Sequence, residues 1–385
     1  MKSKILLLVI FLVTISYLSD AQWSNKSFTF QTKVRSYRVY IPAIYNASNP
    51  ASLVITLHGL GDNMTNFSSV GFNYIADTAN IIVVVPQAID DAFLASYYGT
   101  GNATAWNSGA GFQGYYPNST VDDVAFLNAL MDTAEANYSI NPSHIYICGF
   151  SMGGFMTERM ACESNTRIAA FASVSGTIGI GITQCNPGRP VPIAHFHGTA
   201  DQTVSYTANS YGINTDSLIH FWVLNNDCDT PATFSSFPDI VADGITVDHF
   251  IYPNGQQGSD VELFRANGAG HQWLYPPTND ISYTIEIWKF FRKYELSSSQ
   301  INQISSSQNI NIYPNPATDH INIKLPNSFT GSNNIELINM YGQSILSKTF
   351  SGNDYTFPVN NIKSGIYFLK ISGNNLNFAK KVVID

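Results

Sequence analysis

The chain has 385 residues, of which 44% are hydrophobic and 12% are charged. This length exceeds one average domain and predicts two or three regions, while the hydrophobic content is ample for packed cores. The formal net charge is −8 with only 19 lysine and arginine residues, and no basic run occurs, which argues against nucleic acid as a partner. No cysteine or histidine cluster has the spacing of a metal site, and the sequence indicates no cofactor.

Residues 1–21 have the pattern of a secretory signal peptide. Lys2 and Lys4 supply positive charge, residues 5–18 form an apolar core, and small residues allow cleavage after Ala21. The alternative is an uncleaved membrane anchor, but this core is shorter than the roughly 20 residues that a span requires. We therefore expect an exported protein with no transmembrane span after cleavage.

Residues 22–296 alternate apolar strands with helices. Strands are predicted at 35–41, 52–57, 81–85, 144–148, 169–174, 192–197 and 246–252. Helices are predicted at 121–138, 152–162, 216–224 and 281–291. Near-continuous apolar strands separated by helices predict an α/β fold with a doubly wound, mostly parallel sheet covered on both faces. Active residues should then gather at the carboxyl ends of the strands.

The segment Gly149-Phe150-Ser151-Met152-Gly153-Gly154 lies at the junction of a predicted strand and a predicted helix. A G-x-S-x-G pattern in this setting is the nucleophile elbow of serine hydrolases, in which the glycines allow a tight turn that exposes the serine hydroxyl. The alternative is an ordinary turn of small residues. Ser151 is therefore the candidate nucleophile.

A reactive serine needs a base to take its proton and a third group to orient that base. In α/β-hydrolases the chain order is serine, acid, histidine, so the partners should follow Ser151. Asp201 lies on the loop that leaves strand 192–197 and is the candidate acid. His271 lies in a glycine-rich loop before the last helix and is the candidate base. Four other aspartates lack this combination of strand and loop: Asp227, Asp229, Asp239 and Asp248.

Two backbone N–H groups should stabilise the negative oxygen that develops when a serine attacks an acyl carbon. One belongs to Met152, which follows the nucleophile, and the other should come from a loop after an early strand. The turn His58-Gly59-Leu60-Gly61 follows strand 52–57, and Leu60 is the expected donor. The alternative is that this turn only connects a strand to a helix.

These segments together resemble the secreted polyhydroxybutyrate depolymerase and feruloyl esterase family, which includes acetylxylan-esterase-like members. The resemblance spans roughly residues 28–293 and implies ester hydrolysis through an acyl-enzyme, with Ser151, Asp201 and His271 as the triad. Phe150 occupies a position that varies among relatives. The matching segments are the His58-Gly59 turn, residues 121–127, Gly149 to Gly154, His197 to Asp201, and Gly270 to Trp273.

Residues 297–309 are rich in serine and glutamine and predict a flexible linker. Short alternating runs separated by turn signals follow at 310–385 and predict a small all-β sandwich. This tail resembles the type A sorting domain of the type IX secretion system, which implies that the secretion machinery is a partner. The alternative is a sandwich that binds carbohydrate or cell surface, although the tail lacks tryptophan. The resemblance rests on residues 312–317, 337–342, 364–367 and 380–384.

Aromatic residues crowd the segment before helix 121–138, at Tyr97, Tyr98, Trp106, Tyr115 and Tyr116, and Trp273 follows the candidate base. We take Trp106, Tyr115 and Trp273 as candidate substrate contacts. The alternative is that these side chains anchor loops as buried aromatics. Residues 174–192 leave no room for a large helical lid, which favours bulky or polymeric esters.

Four cysteines occur in a chain expected to be exported, where disulfides can form. Cys148 and Cys162, on the predicted elbow strand and helix, are expected to be buried free thiols. Cys185 and Cys228 lie in loop-like surroundings, and a disulfide between them is our hypothesis.

The sequence therefore predicts a secreted serine carboxylic ester hydrolase that acts on plant-polysaccharide esters, either feruloyl or acetyl. A polyhydroxyalkanoate or other polyester depolymerase is an alternative with the same chemistry. A serine peptidase of the same fold is a further alternative, although no gating domain is present. A non-catalytic surface-binding protein is the last, and the complete set of triad candidates argues against it.

Overall fold

The computed structural model describes residues 22–99, 103–182, 185–296, 310–325, 332–339, 344–373 and 376–384. The chain divides into two compact units after Leu296. The predicted signal peptide at 1–21 and the predicted linker at 297–309 lie outside the described residues. No helix within the described part of the chain has the length and apolar character of a membrane span.

The first unit contains twelve strands and seven α-helices in the described residues. The strands are β1 (Gln22–Phe30), β2 (Lys33–Ile41), β3 (Ala51–Leu57), β4 (Ile81–Pro86), β5 (Ile89–Asp90), β6 (Thr104–Ala105), β7 (Ile140–Phe150), β8 (Ala170–Val174), β9 (Ile193–Gly198), β10 (Thr233–Ser236), β11 (Thr246–Tyr252) and β12 (Val261–Asn267). The helices are α1 (Met64–Phe67), α2 (Phe72–Ala79), α3 (Ala92–Tyr98), α4 (Asp123–Asn137), α5 (Met152–Glu163), α6 (Thr215–Asn226) and α7 (Tyr283–Phe291).

Ten of these strands form one sheet in the order β1-β2-β4-β3-β7-β8-β9-β12-β11-β10. The six central strands, from β4 to β12 in this order, pair in parallel. Two strands at each edge pair antiparallel. Strands β5 and β6 form a separate two-stranded ribbon. The predicted mostly parallel α/β sheet is confirmed.

The central strands are mostly apolar because both faces of the sheet are buried. Along β3, Leu53 and Ile55 belong to the core cluster on the face that carries α4, α5 and α6. Val54, between them, belongs to the cluster on the opposite face, which carries α2 and α7. Alternating side chains of one strand therefore fill two cores, so these strands lack the regular alternation of apolar and polar residues that a half-exposed strand shows.

The edges of the sheet contain strands that the sequence pattern does not reveal. All four residues of β10 are exposed, and most of β1 is exposed or half-buried. A strand that contributes little to a core has no need of apolar residues, so its sequence resembles a loop.

The described residues of the second unit form seven strands in two antiparallel sheets. The strands are β13 (Asn311–Tyr313), β14 (His320–Lys324), β15 (Ser332–Asn339), β16 (Ser344–Ser351), β17 (Asp354–Pro358), β18 (Gly365–Gly373) and β19 (Leu376–Ile384). One sheet has the order β13-β14-β17 and the other β16-β15-β18-β19. Ile321 and Phe357 of the first sheet share one core cluster with Leu337 and Leu369 of the second. The two sheets therefore pack face to face, which confirms the predicted small all-β sandwich.

Candidate active site

Ser151 stands between the end of β7 and the start of α5. Its backbone has φ 54° and ψ −120°, a conformation that is strained for a residue with a side chain. The Ser151 N–H donates to the carbonyl oxygen of Val174 at 2.8 Å, and its own carbonyl accepts from the N–H of Phe155 at 3.0 Å. The strand, strained serine and helix predicted from the sequence are all present.

Glycines surround this turn because backbone segments approach too closely for side chains. A Cβ atom on Gly153 would lie 2.1 Å from the Leu57 carbonyl oxygen at the end of β3, and one on Gly149 would lie 2.2 Å from the Gly153 carbonyl oxygen. Gly59, in the turn after β3, would bring a Cβ atom 3.4 Å from the Ser151 Cβ. The first turn of α5 therefore packs directly on the loop that is expected to supply an oxyanion donor.

Asp201 follows β9 and His271 follows β12, and these two strands are neighbours in the sheet. Asp201 Oδ2 lies 2.7 Å from His271 Nδ1. The other carboxylate oxygen accepts from the backbone N–H groups of Thr203 and Val204, each at 2.8 Å. Because the carboxylate can only accept, Nδ1 carries the proton and Nε2 keeps its lone pair, which is the tautomer a general base requires.

The Asp201 carboxylate is charged although its side chain has no exposed surface. Burial raises the pKa of Asp201, but hydrogen bonds from His197, His271 and the Val204 N–H outweigh burial and hold this pKa well below its ordinary value. An ionised carboxylate behind His271 stabilises the imidazolium that forms when the histidine takes a proton.

Ser151 and His271 line one cavity of about 300 Å³, together with Met152 and Leu60. Four of the five triad and oxyanion candidates thus line one cavity, and Asp201 contacts His271 from behind. The remaining lining residues are Gly59, Asp62, Ala110, Phe112, Phe150, Phe155, Thr203, Val204 and Tyr211.

The turn that carries Leu60 is held in place by the buried side chain of His58. His58 Nε2 accepts from the Ala88 N–H at 3.1 Å, so Nδ1 carries the proton and donates to the Gly59 carbonyl oxygen at 2.8 Å. The His58 carbonyl oxygen accepts from Trp106 Nε1 at 2.9 Å. Burial lowers the pKa of His58, so the ring is neutral, and its two hydrogen bonds hold the turn in one conformation.

The described residues that line this cavity do not include the predicted substrate contacts Trp106, Tyr115 and Trp273. Trp106 has no exposed surface, so it cannot contact substrate, and its indole braces the turn at His58 instead. Tyr115 donates to Asp91 at 2.7 Å, and Trp273 Nε1 donates to Thr284 Oγ1 at 3.0 Å. These hydrogen bonds favour the alternative interpretation, in which the three aromatic side chains anchor loops. The Tyr98 side chain lies outside the described part of the chain.

Instead, the cavity wall contains aromatic residues that sequence reasoning missed. The rings of Phe112 and Tyr211 lie 4.8 Å apart between centroids, and the ring of Phe150 lies 4.8 Å from that of His271. Phe155 could have been found, because it follows Ser151 by one helical turn and shares its face of α5. Phe112 and Tyr211 lie on irregular loops, where no periodic pattern indicates which side chains point inward.

The predicted disulfide is wrong. Cys185 pairs with Cys162 at the end of α5, with 4.9 Å between their Cα atoms, and Cys228 is a free thiol whose Sγ lies 3.5 Å from the Ser259 carbonyl oxygen. The loop that carries Cys185 returns to α5, because Asn165, two residues after the end of this helix, donates to the carbonyl oxygen of Pro187 at 2.9 Å. Cys148 is a buried free thiol, as predicted, whereas Cys162 is not.

Two parts of the chain match family models. Residues 41–227 match the family described as Phospholipase/Carboxylesterase, and residues 311–385 match the family described as Secretion system C-terminal sorting domain. The second match confirms the resemblance of the tail to a type IX sorting domain. It assigns the protein to the extracellular space or the cell surface.

Similar proteins include esterases and a depolymerase. A bifunctional acetylxylan esterase/xylanase of Neocallimastix patriciarum is 27% identical over 264 residues, which cover 68% of this chain and 33% of that protein. Feruloyl esterase D of Neurospora crassa is 26% identical over 271 residues, which cover 68% of this chain and 83% of the esterase. Poly(3-hydroxyalkanoate) depolymerase C of Paucimonas lemoignei is 23% identical over 263 residues, which cover 60% and 57% of the two chains.

The solved structure of an acetyl xylan esterase from Aspergillus awamori aligns with a TM-score of 0.49 at 14% identity, covering 70% of this chain and 99% of that one. The family match and the parallel sheet with its strained serine elbow agree with each other. The first unit therefore has a mostly parallel sheet of the α/β-hydrolase type, matches the Phospholipase/Carboxylesterase family model over residues 41–227, and is similar to feruloyl esterases and a polyhydroxyalkanoate depolymerase, while residues 311–385 match the model of a secretion system C-terminal sorting domain.

Proposed function

We propose that the protein is a secreted serine carboxylic ester hydrolase in which Ser151, His271 and Asp201 form the catalytic triad. His271 Nε2 removes the proton from Ser151 Oγ while Oγ attacks the ester carbonyl carbon. The backbone N–H groups of Met152 and Leu60 stabilise the resulting oxyanion. Support comes from the hydrogen bond between His271 and Asp201, the strained serine and the shared cavity.

Collapse of the tetrahedral intermediate breaks the bond to the alcohol oxygen, which takes the proton from His271 as it leaves. The acyl group then stays on Ser151 Oγ as an ester. Water, deprotonated by His271, attacks this acyl carbon, and Oγ leaves with the proton to regenerate the serine. The products are one alcohol and one carboxylic acid, and the enzyme returns to its starting state.

The preferred substrates are feruloyl esters of plant polysaccharides, which carry an aromatic acyl group. The observation that carries this choice is the wall beside Ser151, which contains Phe112, Phe155 and Tyr211. A flat aromatic acyl group packs on such rings, whereas an acetyl group leaves most of the cavity unfilled. The similarity to Feruloyl esterase D supports the same choice.

A polyester depolymerase is the second candidate. It is favoured by the similarity to poly(3-hydroxyalkanoate) depolymerase C and by the absence of a large helical insertion among the described residues between β8 and β9. A branched aliphatic acyl group would use the same cavity with a poorer fit to the aromatic wall. Relative turnover of the two substrate classes separates the candidates.

Export and processing complete the proposal. Residues 1–21 act as a signal peptide, residues 22–296 carry catalysis, residues 297–309 link the units, and residues 310–385 engage the type IX machinery. Truncation after Leu296 should leave activity of the purified enzyme near that of the full chain and prevent delivery to the cell surface. A truncated protein that loses its melting transition would contradict this division.

The test compares wild type with Ser151→Ala on methyl ferulate, acetylated xylan and a hydroxybutyrate oligomer. Ser151→Ala should lower kcat by about a thousandfold or more on every substrate that wild type hydrolyses. Ser217→Ala, an exposed serine on α6, is the matched control and should turn over as wild type. Retained turnover in Ser151→Ala would remove the proposed nucleophile, and a preference for the oligomer would favour the depolymerase.

A further inference from the structure

Strand β9 carries two buried histidines, His195 and His197, that lie outside the cavity lining. Their exposures are 1% and 0%. A buried imidazole is costly unless its nitrogens are hydrogen-bonded, so each one calls for a physical explanation. His195 Nδ1 has no hydrogen-bond partner among the described residues, whereas both nitrogens of His197 have partners.

The surroundings of His197 fix which nitrogen carries its proton. Nε2 lies 2.8 Å from the Val204 carbonyl oxygen and 3.4 Å from Asp201 Oδ2. Both oxygens can only accept, because the carboxylate is ionised, so Nε2 must carry a proton. Nδ1 can then accept from Thr215 Oγ1 at 3.1 Å or from His195 Nε2 at 3.0 Å, and either donor alone is sufficient.

Seen from Asp201, the same Nε2–H of His197 that donates to the Val204 carbonyl oxygen makes a second, longer contact with the carboxylate. Oδ1 is occupied by the N–H groups of Thr203 and Val204. Oδ2 accepts from His271 Nδ1 at 2.7 Å and faces His197 Nε2 at 3.4 Å. Since the carboxylate has no exposed surface, bulk water cannot replace the N–H of His197 if that imidazole is removed.

We infer that His197 is a positioning residue, whose Nε2–H holds Asp201 Oδ2 in line with His271 Nδ1 and ties the Asp201 loop to β9 through the Val204 carbonyl. This inference rests on the proposed function, because it adds a second imidazole behind the proposed triad. His197 touches neither substrate nor Ser151, so its effect reaches the reaction only through Asp201. The effect should therefore fall on kcat and leave KM nearly unchanged.

The experiment compares three substitutions in the full chain, assayed with p-nitrophenyl acetate. His197→Leu removes the donor, while His197→Gln keeps an N–H near the Nε2 position. His195→Leu is the matched control, since it removes a buried imidazole two residues away on the same strand and leaves Thr215 to donate to His197. Circular dichroism and a melting curve verify folding, and proton NMR detects the downfield resonance of the hydrogen bond between His271 and Asp201.

We expect kcat to fall by about 10- to 100-fold in His197→Leu, with KM changed by less than about threefold and the downfield resonance lost. His197→Gln should recover kcat to within about fivefold of wild type and retain the resonance. In His195→Leu, kcat should stay within about threefold of the wild-type value. If His197→Leu does not fold, His197→Asn takes its place, because its shorter amide cannot reach Asp201.

Equal losses in His197→Leu and His195→Leu, with no recovery in His197→Gln, would overturn the inference, because they would indicate general damage to the core. An unchanged kcat in His197→Leu would overturn it as well. Failure of the proposed function is distinguishable, since Ser151→Ala would then retain turnover. The NMR resonance arises from the hydrogen bond between Asp201 and His271 and requires no substrate, so its loss or retention reports on the positioning role of His197 even if the proposed substrate is wrong.

Discussion

Replacing Glu158 by glutamine should change how the stability of the first unit depends on pH. Glu158 is fully buried on α5; its Oε2 accepts from Trp222 Nε1 at 2.9 Å, and its Oε1 has no hydrogen-bond partner among the described residues. Burial raises the pKa of Glu158 from 4.5 to about 8, against a smaller lowering by the Trp222 hydrogen bond. The folded protein therefore keeps this carboxyl protonated at neutral pH.

The magnitude follows from proton linkage. The unfolded chain releases this proton near pH 4.5, whereas the folded chain keeps it until about pH 8. Between these values the unfolded state binds fewer protons than the folded state, so the free energy of unfolding falls by about 1.4 kcal/mol per pH unit. The full loss is about 5 kcal/mol above pH 8, and about 3 kcal/mol of it has occurred by pH 7. Glutamine cannot ionise, so the Glu158→Gln protein avoids this loss.

The free energy of unfolding of Glu158→Gln, relative to wild type, should therefore rise by about 4 kcal/mol from pH 5 to pH 9. Urea unfolding followed by tryptophan fluorescence measures this change in the first unit, because every tryptophan lies within residues 22–296. Glu163→Gln, at an exposed position on the same helix, is the matched control and should show no such trend. If the difference in the free energy of unfolding between Glu158→Gln and wild type stays constant with pH, the conclusion that Glu158 is protonated in the folded protein at neutral pH would be refuted.

Three further substitutions test the packing of the site. Gly153→Ala places a Cβ atom 2.1 Å from the Leu57 carbonyl oxygen, so we expect a loss of about 3 kcal/mol or more in the free energy of unfolding, and a wild-type urea midpoint would contradict the tight turn. Phe112→Ala should lower kcat/KM for methyl ferulate about tenfold and that for p-nitrophenyl acetate less than about threefold; equal losses would argue against an aromatic acyl site. Cys162→Ser opens a disulfide with a sequence separation of 23 and should cost about 3 kcal/mol in urea unfolding, whereas Cys228→Ser, at a free thiol, should cost little; equal costs would argue against the pairing.

Five of the six central strands could be predicted from the sequence because burial on both faces leaves a strong signal, whereas β12, which carries Glu262 and Arg265, is not among the predicted strands. Strand 144–148 and helix 152–162 lie within β7 (Ile140–Phe150) and α5 (Met152–Glu163). The glycines between them are required by backbone contacts too close for a side chain, so they occur in a pattern that can be read directly. Because the turn tolerates only glycine at these positions, the nucleophile elbow can be recognised from a single sequence.

The rest could not be predicted because several structures are compatible with the same residues. Trp106 and Phe112 are both aromatic residues of one loop region, yet the first braces a turn from within the core and the second lines the cavity. The residue types of a loop do not indicate which of its side chains point towards the core and which towards the cavity. Cys185 likewise has no periodic context, so its partner depends on a loop path that only tertiary contacts determine.

The loops of the candidate site leave β3, β7, β9 and β12, which lie among five adjacent strands at the middle of the sheet although they are far apart along the chain. Non-local pairings of this kind form late and together during folding. Recovery of turnover after denaturation would therefore report that the whole central sheet has re-formed. A fragment that ends before β12 would hydrolyse an ester only if the remaining segment were supplied as a separate chain.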